Sequence, residues 1–567
     1  MLQRSTLSGD WFDVRARDLE FYERVSPTVG GTKLLIPPPT LTPDERQQRR
    51  LAFRNERFLY RSSCAISGKP IISVYSPDKP FKVCSLEAWR DVDNEQFGRP
   101  YNFSRPFFEQ FAELYRDTYK ACLIQSGEML NSEYAQFAGW LKNCYLVFDI
   151  GKSEDCLYCA ILSYCKDCLD CFQCHECELC FDSVQLYQCY QLFYSRYCRN
   201  CNLSAFLSDC IGCNHCLCST NLRNKEYYVA NEYVGKVRFE QLWRELFSSH
   251  FSTICEMEQQ FQAILAQSPH RASRLINCEN ATGSDLERCE NTFDSYNCWE
   301  SKDCSYIYDM FKGTRDCYDI STFGENINYC YELSGCGAKL DSGEVSNCFF
   351  STYIYYGGFN ILYSVSCHEN SENLFGCCDV RKKSYAILNK QYTQQEYENL
   401  VPKIVEQMRN TGEWGEFFPM RISPFGYNES LAHEYFPLDP QGAQKVSARW
   451  SDYEAPAPET EEVIPASALV DQFTGNDPRM LRSAIECLDS KKPFRVLKRE
   501  LDFYTWHGLP LPRYHPERRH LKRLTQLNPR KLSFRRCARC NEEISSIFST
   551  ERGERIFCER CFLQETN

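Results

Sequence analysis

The sequence predicts a mainly β, multidomain fold: two Cys-rich β-solenoid-like repeat modules flanked by zinc-ribbon or treble-clef-like ends, with a few connecting helices. Three observations predict it. The 36 cysteines of the 567 residues are clustered. The two middle clusters close on the same residue pattern, and the two chain ends match each other.

Composition sets the frame. Hydrophobic residues make up 43% and charged residues 25%, which excludes a collagen, a coiled-coil rod or wholesale disorder. At about 150 residues per domain the length allows three or four domains. No run of 18 apolar residues exists, and the opening MLQRSTLSGDWFDVRARDLE lacks a basic and apolar leader pattern. A cytoplasmic protein with reduced thiols is therefore expected.

The ends come first. Pro43, Asp44, Arg46, Arg50, Leu51, Asn55, Arg57, Leu59, Cys64, Ile71, Ser73 and Ser76 correspond, at an offset of 473, to Pro516, Glu517, Arg519, Arg523, Leu524, Asn528, Arg530, Leu532, Cys537, Ile544, Ser546 and Ser549. In the carboxy-terminal copy Cys537-x2-Cys540 and Cys558-x2-Cys561 give two knuckles whose thiolates suit one tetrahedral Zn²⁺. Four cysteine ligands leave no open position, so this zinc is structural. The amino-terminal copy reads Cys64-x2-Ser67 and Cys84-x2-Glu87, a degenerate knuckle pair that keeps its fold by packing. Cys487, Ser490, Lys492 and Pro493 repeat the spacing of Cys64, Ser67, Lys69 and Pro70 as a further half-knuckle. Residues 1–100 are expected as the degenerate ribbon, 101–136 as a helical connector and 481–567 as the basic segment with its zinc ribbon.

The middle modules are expected at 137–272 and 273–410. Lys225, Tyr227, Asn231, Phe239, Glu240 and Leu242 recur as Lys383, Tyr385, Asn389, Tyr397, Glu398 and Leu400, each pair 158 apart. A helix follows each pattern, one from about Val237 into the 260s, the other opened by a capping box at Thr393 and Glu396. In the first module, 15 of the 16 cysteines from Cys144 to Cys218 fall on a three-residue grid that only Cys218 breaks. A helix turns 300° in three residues and a flat strand alternates faces, so neither element accounts for it. A narrow coil with bent corners does, supported by recurrence every 12 or 13 residues (Cys144, Cys156, Cys168, Cys180; Cys304, Cys317, Cys330) and by corners such as Asp155 before Cys156. Cysteine suits a thin core as a small hydrophobe. Two alternatives stay open: that Cys64, Cys84, Cys165, Cys168, Cys171, Cys174, Cys177 and Cys180 supply secondary metal sites, or that an iron–sulfur cluster is bound, although the x3-Cys-Pro ending of a ferredoxin run is missing. His175 and His215, inside the cysteine runs, are zinc ligands or polar corners. The second module is off the grid and is expected to coil without metal.

Residues 411–453 read as an aromatic loop region, and 454–480, opening with EAPAPETEEV, as an acidic linker. The net charge of −11 conceals a basic stretch, 491–540, with 15 Lys/Arg against three Asp/Glu. Arg518, Arg519, Lys522, Arg523, Arg530, Lys531, Arg535 and Arg536 are candidate nucleic-acid-binding residues, interleaved with Phe503, Tyr504, Trp506, Tyr514 and Phe534. The rival arrangement docks these cations on the protein's own acidic remainder. No P-loop, G-x-S-x-G, H-E-x-x-H or dinucleotide fingerprint occurs, so no catalytic residue is assigned. The expected role is a non-catalytic zinc-binding scaffold for nucleic acid or a nucleoprotein, with a protein-interaction scaffold and a metal or redox protein as alternatives. No membrane or small-molecule partner is expected.

The segments GKPIISVYSPDKPFKVC (68–84), FSRPFFEQF (103–111), GEWGEFFP (412–419), SPFGYNES (423–430) and LPLPRYHPERRH (509–520) resemble a cysteine-rich zinc-binding repeat family of candidate-phylum, reduced-genome bacteria. The likeness runs along nearly the whole chain. Some members carry the label "CaiB/BaiF family", implying CoA transfer, but no Rossmann-type pattern or nucleophilic Asp supports that here. The resemblance implies terminal zinc ribbons and a repetitive middle, and supplies no catalytic residues. Ser67, Glu87 and Ser490 stand where a complete site would want Cys.

Overall fold

The computed structural model describes residues 1–566 except 189, 311–312, 321–326, 329–330, 333, 338–344, 347, 350–351, 356–357, 368–370, 476 and 552. Cys189 and Cys330 thus lie outside the described residues, as do the side chains of Cys174 and His175. The chain forms two compact units, each built from separated stretches. One contains Met1–Leu123, Ser273–Tyr453 and Arg530–Leu532; the other contains Ile124–Ala272, Glu454–Pro529 and Ser533–Asn567. The amino-terminal end therefore belongs with the second Cys-rich stretch, and most of the carboxy-terminal end with the first.

The three-residue grid has a backbone cause. From Phe137 to Ala230 every third residue has positive φ, from 43° at Asp182 to 66° at Gly212. A single left-handed residue turns the chain, so each triplet makes one short side, and four triplets bring the chain back beside itself. Strand pairing follows this count. Ala135 pairs in parallel with Val147, Phe148 with Ala160, Phe172 with Val184 and Ala205 with Leu217, always 12 residues on. Asn and Asp tolerate the left-handed region best among non-glycine residues. That is why Asp155, Asp303 and Asp316 stand before Cys156, Cys304 and Cys317, with φ of 57°, 56° and 53°.

The grid residues point inward. Cys144, Val147, Ile150, Cys156, Cys159, Cys165, Cys168 and Cys171 head one continuous buried cluster that runs on to Leu222. The thiols are satisfied by the backbone: Cys156 Sγ donates to the carbonyls of Glu154 (3.3 Å) and Cys165 (3.6 Å), and Cys168 Sγ to those of Lys166 (3.4 Å) and Cys177 (3.7 Å). Asparagine and aspartate corners stack likewise, Asn143 Nδ2 on Asp155 Oδ1 at 3.1 Å and Asn291 Nδ2 on Asp303 Oδ1 at 2.8 Å.

The second Cys-rich stretch keeps the triplet rule but changes phase. Its pairings step by 11 residues (Leu275 with Leu286), by 12 (Gly283 with Ser295), by 13 (Gly358 with Ser371) and by 18 (Ser334 with Thr352). These unequal steps displace the cysteines from one register, which is why they look irregular in sequence. Both stretches end alike. Asn231 Oδ1 accepts from Thr220 N–H, and Asn389 Oδ1 from Cys378 N–H, both at 2.8 Å. Each asparagine satisfies an amide that a further strand would otherwise pair, beside a two-strand hairpin that stops the pairing.

The helix after Asn389 is Gln394–Thr411, with Glu396 N–H donating to Thr393 Oγ1 at 3.3 Å. The helix after Asn231 is not continuous. It divides into Lys236–Leu246 and Phe251–Gln267, because Ser249 takes φ of 66° and turns its N–H to Gly508 O at 2.7 Å. Two other expectations need correcting. The stretch 454–480 is not linker throughout: Glu462–Pro465 is a strand paired with Ser483–Glu486, and Phe473 and Met480 are buried in the core. The connector 101–136 holds one helix, Phe107–Asp117; Tyr119–Ala121 then pairs with Lys82–Cys84, and Gln125–Leu130 begins the coiled stretch.

Candidate metal centre

Four turns of one design occur in the chain, beginning at Ser5, Cys64, Cys487 and Cys537. In each, the first residue's N–H donates to the carbonyl five residues on: Asp10, Lys69, Lys492 and Glu542, at 2.8, 2.8, 3.1 and 2.9 Å. Four residues on stands a left-handed residue, Gly9, Gly68, Lys491 or Asn541, which closes the knuckle. The flanking hairpins share one register, Arg4 with Trp11, Ser63 with Pro70, Glu486 with Pro493 and Arg536 with Glu543. The residue after the first donates to a distant carbonyl, Thr6 to Thr40, Ala65 to Val83, Leu488 to Arg513 and Ala538 to Ile556. Two residues beyond each acceptor, at Thr42, Ser85, His515 and Cys558, a helix begins.

Each turn thus faces a helix N-terminus and offers four corners. In the fourth turn these are Cys537, Cys540, Cys558 and Cys561, whose sulfurs all lie within 4.8 Å of one another. Cys540 and Cys558 are 3.8 Å apart, the edge of a tetrahedron with metal–sulfur bonds of about 2.3 Å. Cys558 N–H donates to Cys537 Sγ at 3.3 Å. Burial pushes the Cys537 thiol up, but amide donors from Cys540, Cys558 and Arg539 outweigh it and bring the pKa to about 6. The amides thus favour the thiolate, the form that binds metal, at Cys537, while burial and the neighbouring thiols raise Cys558 and Cys561.

The other turns fill their corners differently. The first has Ser5, Ser8, Thr42 and Glu45, and the Glu45 carboxylate takes the centre: it accepts from Ser5 Oγ at 2.6 Å, Ser8 N–H at 3.1 Å and Thr42 N–H at 2.8 Å. The second has Cys64, Ser67, Ser85 and Ala88. This corrects the knuckle pairing expected from sequence, because the strand Lys82–Cys84 matches Arg555–Phe557, placing Cys84 opposite Phe557 and Ser85 opposite Cys558. The third has Cys487, Ser490, His515 and Arg518; His515 Nδ1 accepts from Glu517 N–H at 3.2 Å, and Arg518 pairs with Asp489.

Among the described residues Cys537, Cys540, Cys558 and Cys561 form the one group of three or more such ligands gathered closely enough for a metal. Cys64 and Cys84 are not part of such a group, and neither are Cys165, Cys168, Cys171, Cys177 and Cys180, of which Cys168, Cys171 and Cys180 donate to backbone carbonyls. His215 lies at a left-handed corner, stacked on Tyr227 with ring centres 5.0 Å apart.

The basic residues are placed as follows. Arg519 and Arg523 project from the helix Pro516–Leu524 onto carboxylates, Asp170 and Glu500 buried and Asp182 half-buried: Arg519 to Asp170 and Glu500, Arg523 to Asp170 at 2.9 Å and Asp182 at 3.1 Å. Glu500 also accepts from Tyr158 and Tyr504 hydroxyls, both at 2.8 Å. Lys522 pairs with Glu258 at 2.8 Å and Arg530 with Asp309 at 2.7 Å. Arg535 donates to the carbonyls of Phe548 and Ser549, and Arg536 to that of Asn541. Lys531 is exposed. Phe503 and Tyr504 are core, whereas Trp506 and Phe534 are 77% and 76% exposed.

The first unit repeats this cage with its own residues. Arg46 and Arg50, on the helix Pro43–Leu51, converge on buried Asp319 at 2.9 and 3.2 Å, and Tyr306 Oη donates to Asp18 at 3.1 Å. Asp18 and Tyr22 on the helix Ala16–Val25 stand as Glu500 and Tyr504 do on Lys498–Trp506. The signal for this was in the sequence, Arg17-Asp-Leu-Glu-Phe-Tyr22 against Arg499-Glu-Leu-Asp-Phe-Tyr504; its offset of 482 differs from the 473 that relates the knuckles.

No family model, curated protein or solved structure matches the chain.

Proposed function

We propose that this protein is a non-catalytic scaffold in which sulfur builds architecture, two β-solenoid-like modules supply extended surface, and a single structural Zn²⁺ is held by Cys537, Cys540, Cys558 and Cys561. The observation that carries this reading is the closed tetrathiolate set, which leaves no coordination position for substrate or water, together with ladder thiols whose hydrogens are already engaged by carbonyls.

Protein is the favoured partner class. Trp140 and Tyr164 occupy one row of corners with Lys152 between them, and they are 38% and 45% exposed; exposed Trp and Tyr anchor protein interfaces. The cations that would otherwise favour phosphate are largely committed, Arg519 and Arg523 to buried carboxylates. Phe534 and Arg536 support nucleic acid as a second reading, since they alternate onto one exposed face of the strand Ser533–Arg536 and could stack and pair with a single strand. Retention of the full chain on single-stranded nucleic acid at low salt tests the choice. The scaffold reading expects none; salt-dependent retention lost in Phe534→Ala and Arg536→Ala would replace it with the second.

A further inference from the structure

Residues 12 apart in the first coiled stretch stand one above another, so its left-handed corners form rows. Gly139, Gly151 and Ser163 pair in register on successive strands. The corners that follow them are Trp140, Lys152 and Tyr164, with φ of 53°, 49° and 61°. Trp140 and Tyr164 thus stand two strands apart, which at about 4.8 Å per strand places them about 9.6 Å apart along the row. Both rings are exposed, and both are held in place. A Cβ at Gly127, itself left-handed with φ of 67°, would collide with the Trp140 indole, so the indole rests on bare backbone. Lys152 Nζ lies 5.5 Å from the centre of the Tyr164 ring.

We propose that this row docks a proline-rich segment of a partner protein in the polyproline II conformation, with prolines three residues apart on the two rings and an acidic residue between them facing lysine. The proposal rests on the reading of this protein as a protein-binding scaffold and names the class of segment it takes.

Spacing selects the conformation. A polyproline II helix rises about 3.1 Å per residue and repeats every three residues, about 9.3 Å. That is within a few tenths of an ångström of the distance between the rings, so prolines at positions one and four lie on Trp140 and Tyr164 together. An extended strand brings side chains back to one face about every 6.6–6.8 Å, and successive residues of that face miss the second ring. Proline-rich segments dock on aromatic surfaces in other recognition domains for the same reason, because the segment is already ordered and little entropy is lost on binding.

The flanks of the row supply room and charge. Before the corners, Gly139 and Gly151 carry no side chain, so a peptide backbone can approach the coil closely there. After them, Lys142, Glu154 and Lys166 pair in register on successive strands, and Lys142 binds Glu154 at 2.5 Å. With Lys152 between the rings, three lysines surround one glutamate, and this excess of positive charge complements an acidic residue on the neighbouring edge of the docked segment.

Calorimetric titration of the full metal-loaded chain with a synthetic peptide of Pro-Pro-Glu repeats tests this. The expected result is saturable binding that weakens about tenfold or more in Trp140→Asn and in Tyr164→Asn. Asparagine tolerates the left-handed corner, so both variants should keep the coil, as unchanged hydrogen exchange over Val147–Glu154 would show. Lys152→Glu should turn the preference from Pro-Pro-Glu to Pro-Pro-Lys repeats. The proposal is overturned by absence of binding, by binding that both asparagine variants retain, by an unchanged preference in Lys152→Glu, or by equal binding of a peptide with every proline replaced by alanine. Retention on single-stranded nucleic acid would remove the protein-scaffold reading beneath it, whereas peptide failure without such retention removes this proposal alone.

Discussion

The first and fourth turns share a knuckle, a hairpin register and a helix start, yet one is centred on a carboxylate and the other on four sulfurs. Glu45 gathers Ser5, Ser8 and Thr42 by hydrogen bonds, whereas the cysteine corners of the fourth turn can be gathered only by a cation. The backbone thus does not require metal to adopt this shape; it requires something of either sign at the centre that satisfies inward groups. A helix N-terminus helps in both cases, since its free amides favour a carboxylate or a thiolate. The two units make the same point on a larger scale, each pinning its helices to the coiled stretch through an arginine pair on one buried aspartate.

The largest effect that could break this comparison is removal of the metal. Cys540→Ser, or treatment with a strong chelator, is expected to release the ion and to expose the amides of 533–567 to rapid hydrogen exchange, while those around Ser5 and Thr42 keep their protection. Metal binding in small metal-held domains carries about 10–16 kcal/mol of apparent free energy, so the fourth turn has no substitute for it. Equal loss of protection at both turns would show that they are not independent.

Next comes the arginine pair. Arg523→Ala leaves Asp170 short of a buried partner, and Arg50→Ala does the same to Asp319. Breaking a buried pair from one side costs about 3–5 kcal/mol. Urea unfolding should show each variant destabilising the unit that carries it. A loss below about 1 kcal/mol, the range of exposed pairs, would remove the cages from the account.

A smaller effect belongs to Glu45. Glu45→Ala strips acceptors from three donors and should cost about 1–3 kcal/mol, read as faster exchange at Ser8 and Thr42. Burial raises the Glu45 pKa, but hydrogen bonds from Ser5, Ser8 and Thr42 outweigh it and leave the group below its ordinary value. Its contribution is therefore present above the ordinary carboxylate range and lost as pH falls through the lowered folded value. The variant should erase that acid-side loss at the first turn.

The smallest is the cap on the coiled stretch. Asn389 is left-handed, with φ of 61°, and holds both the N–H and the carbonyl of Cys378. Asn389→Ala should cost about 1–2 kcal/mol and loosen Ser384–Ile387 before the inner strands, as seen by hydrogen exchange.

Much of this was legible in the residues. The 473 offset identified the knuckles and their arginines, and the 158 offset identified two closing caps, because turns and caps demand particular residues at fixed spacing. The grid reflected a backbone in which every third residue is left-handed and the cysteines between are buried, as suits a small hydrophobe. What was not legible depended on partners distant in sequence. Arg519 and Arg523 read as a basic face, since nothing local says that Asp170 will receive them. The first turn escaped notice because Ser5, Ser8, Thr42 and Glu45 carry none of the cysteines that mark the other three. Chance spacing did the opposite for Cys84, which mimics a ligand in sequence while Ser85 holds the corner.

The central claim, that sulfur here is architectural apart from one closed cage, is tested most directly by metal content measured with the visible spectrum of the purified full chain. One zinc per chain, lost in Cys540→Ser, with no visible absorbance, is the predicted result. Several metal ions per chain that survive that substitution, or a brown absorbance, would contradict it by placing metal in the cysteine ladders.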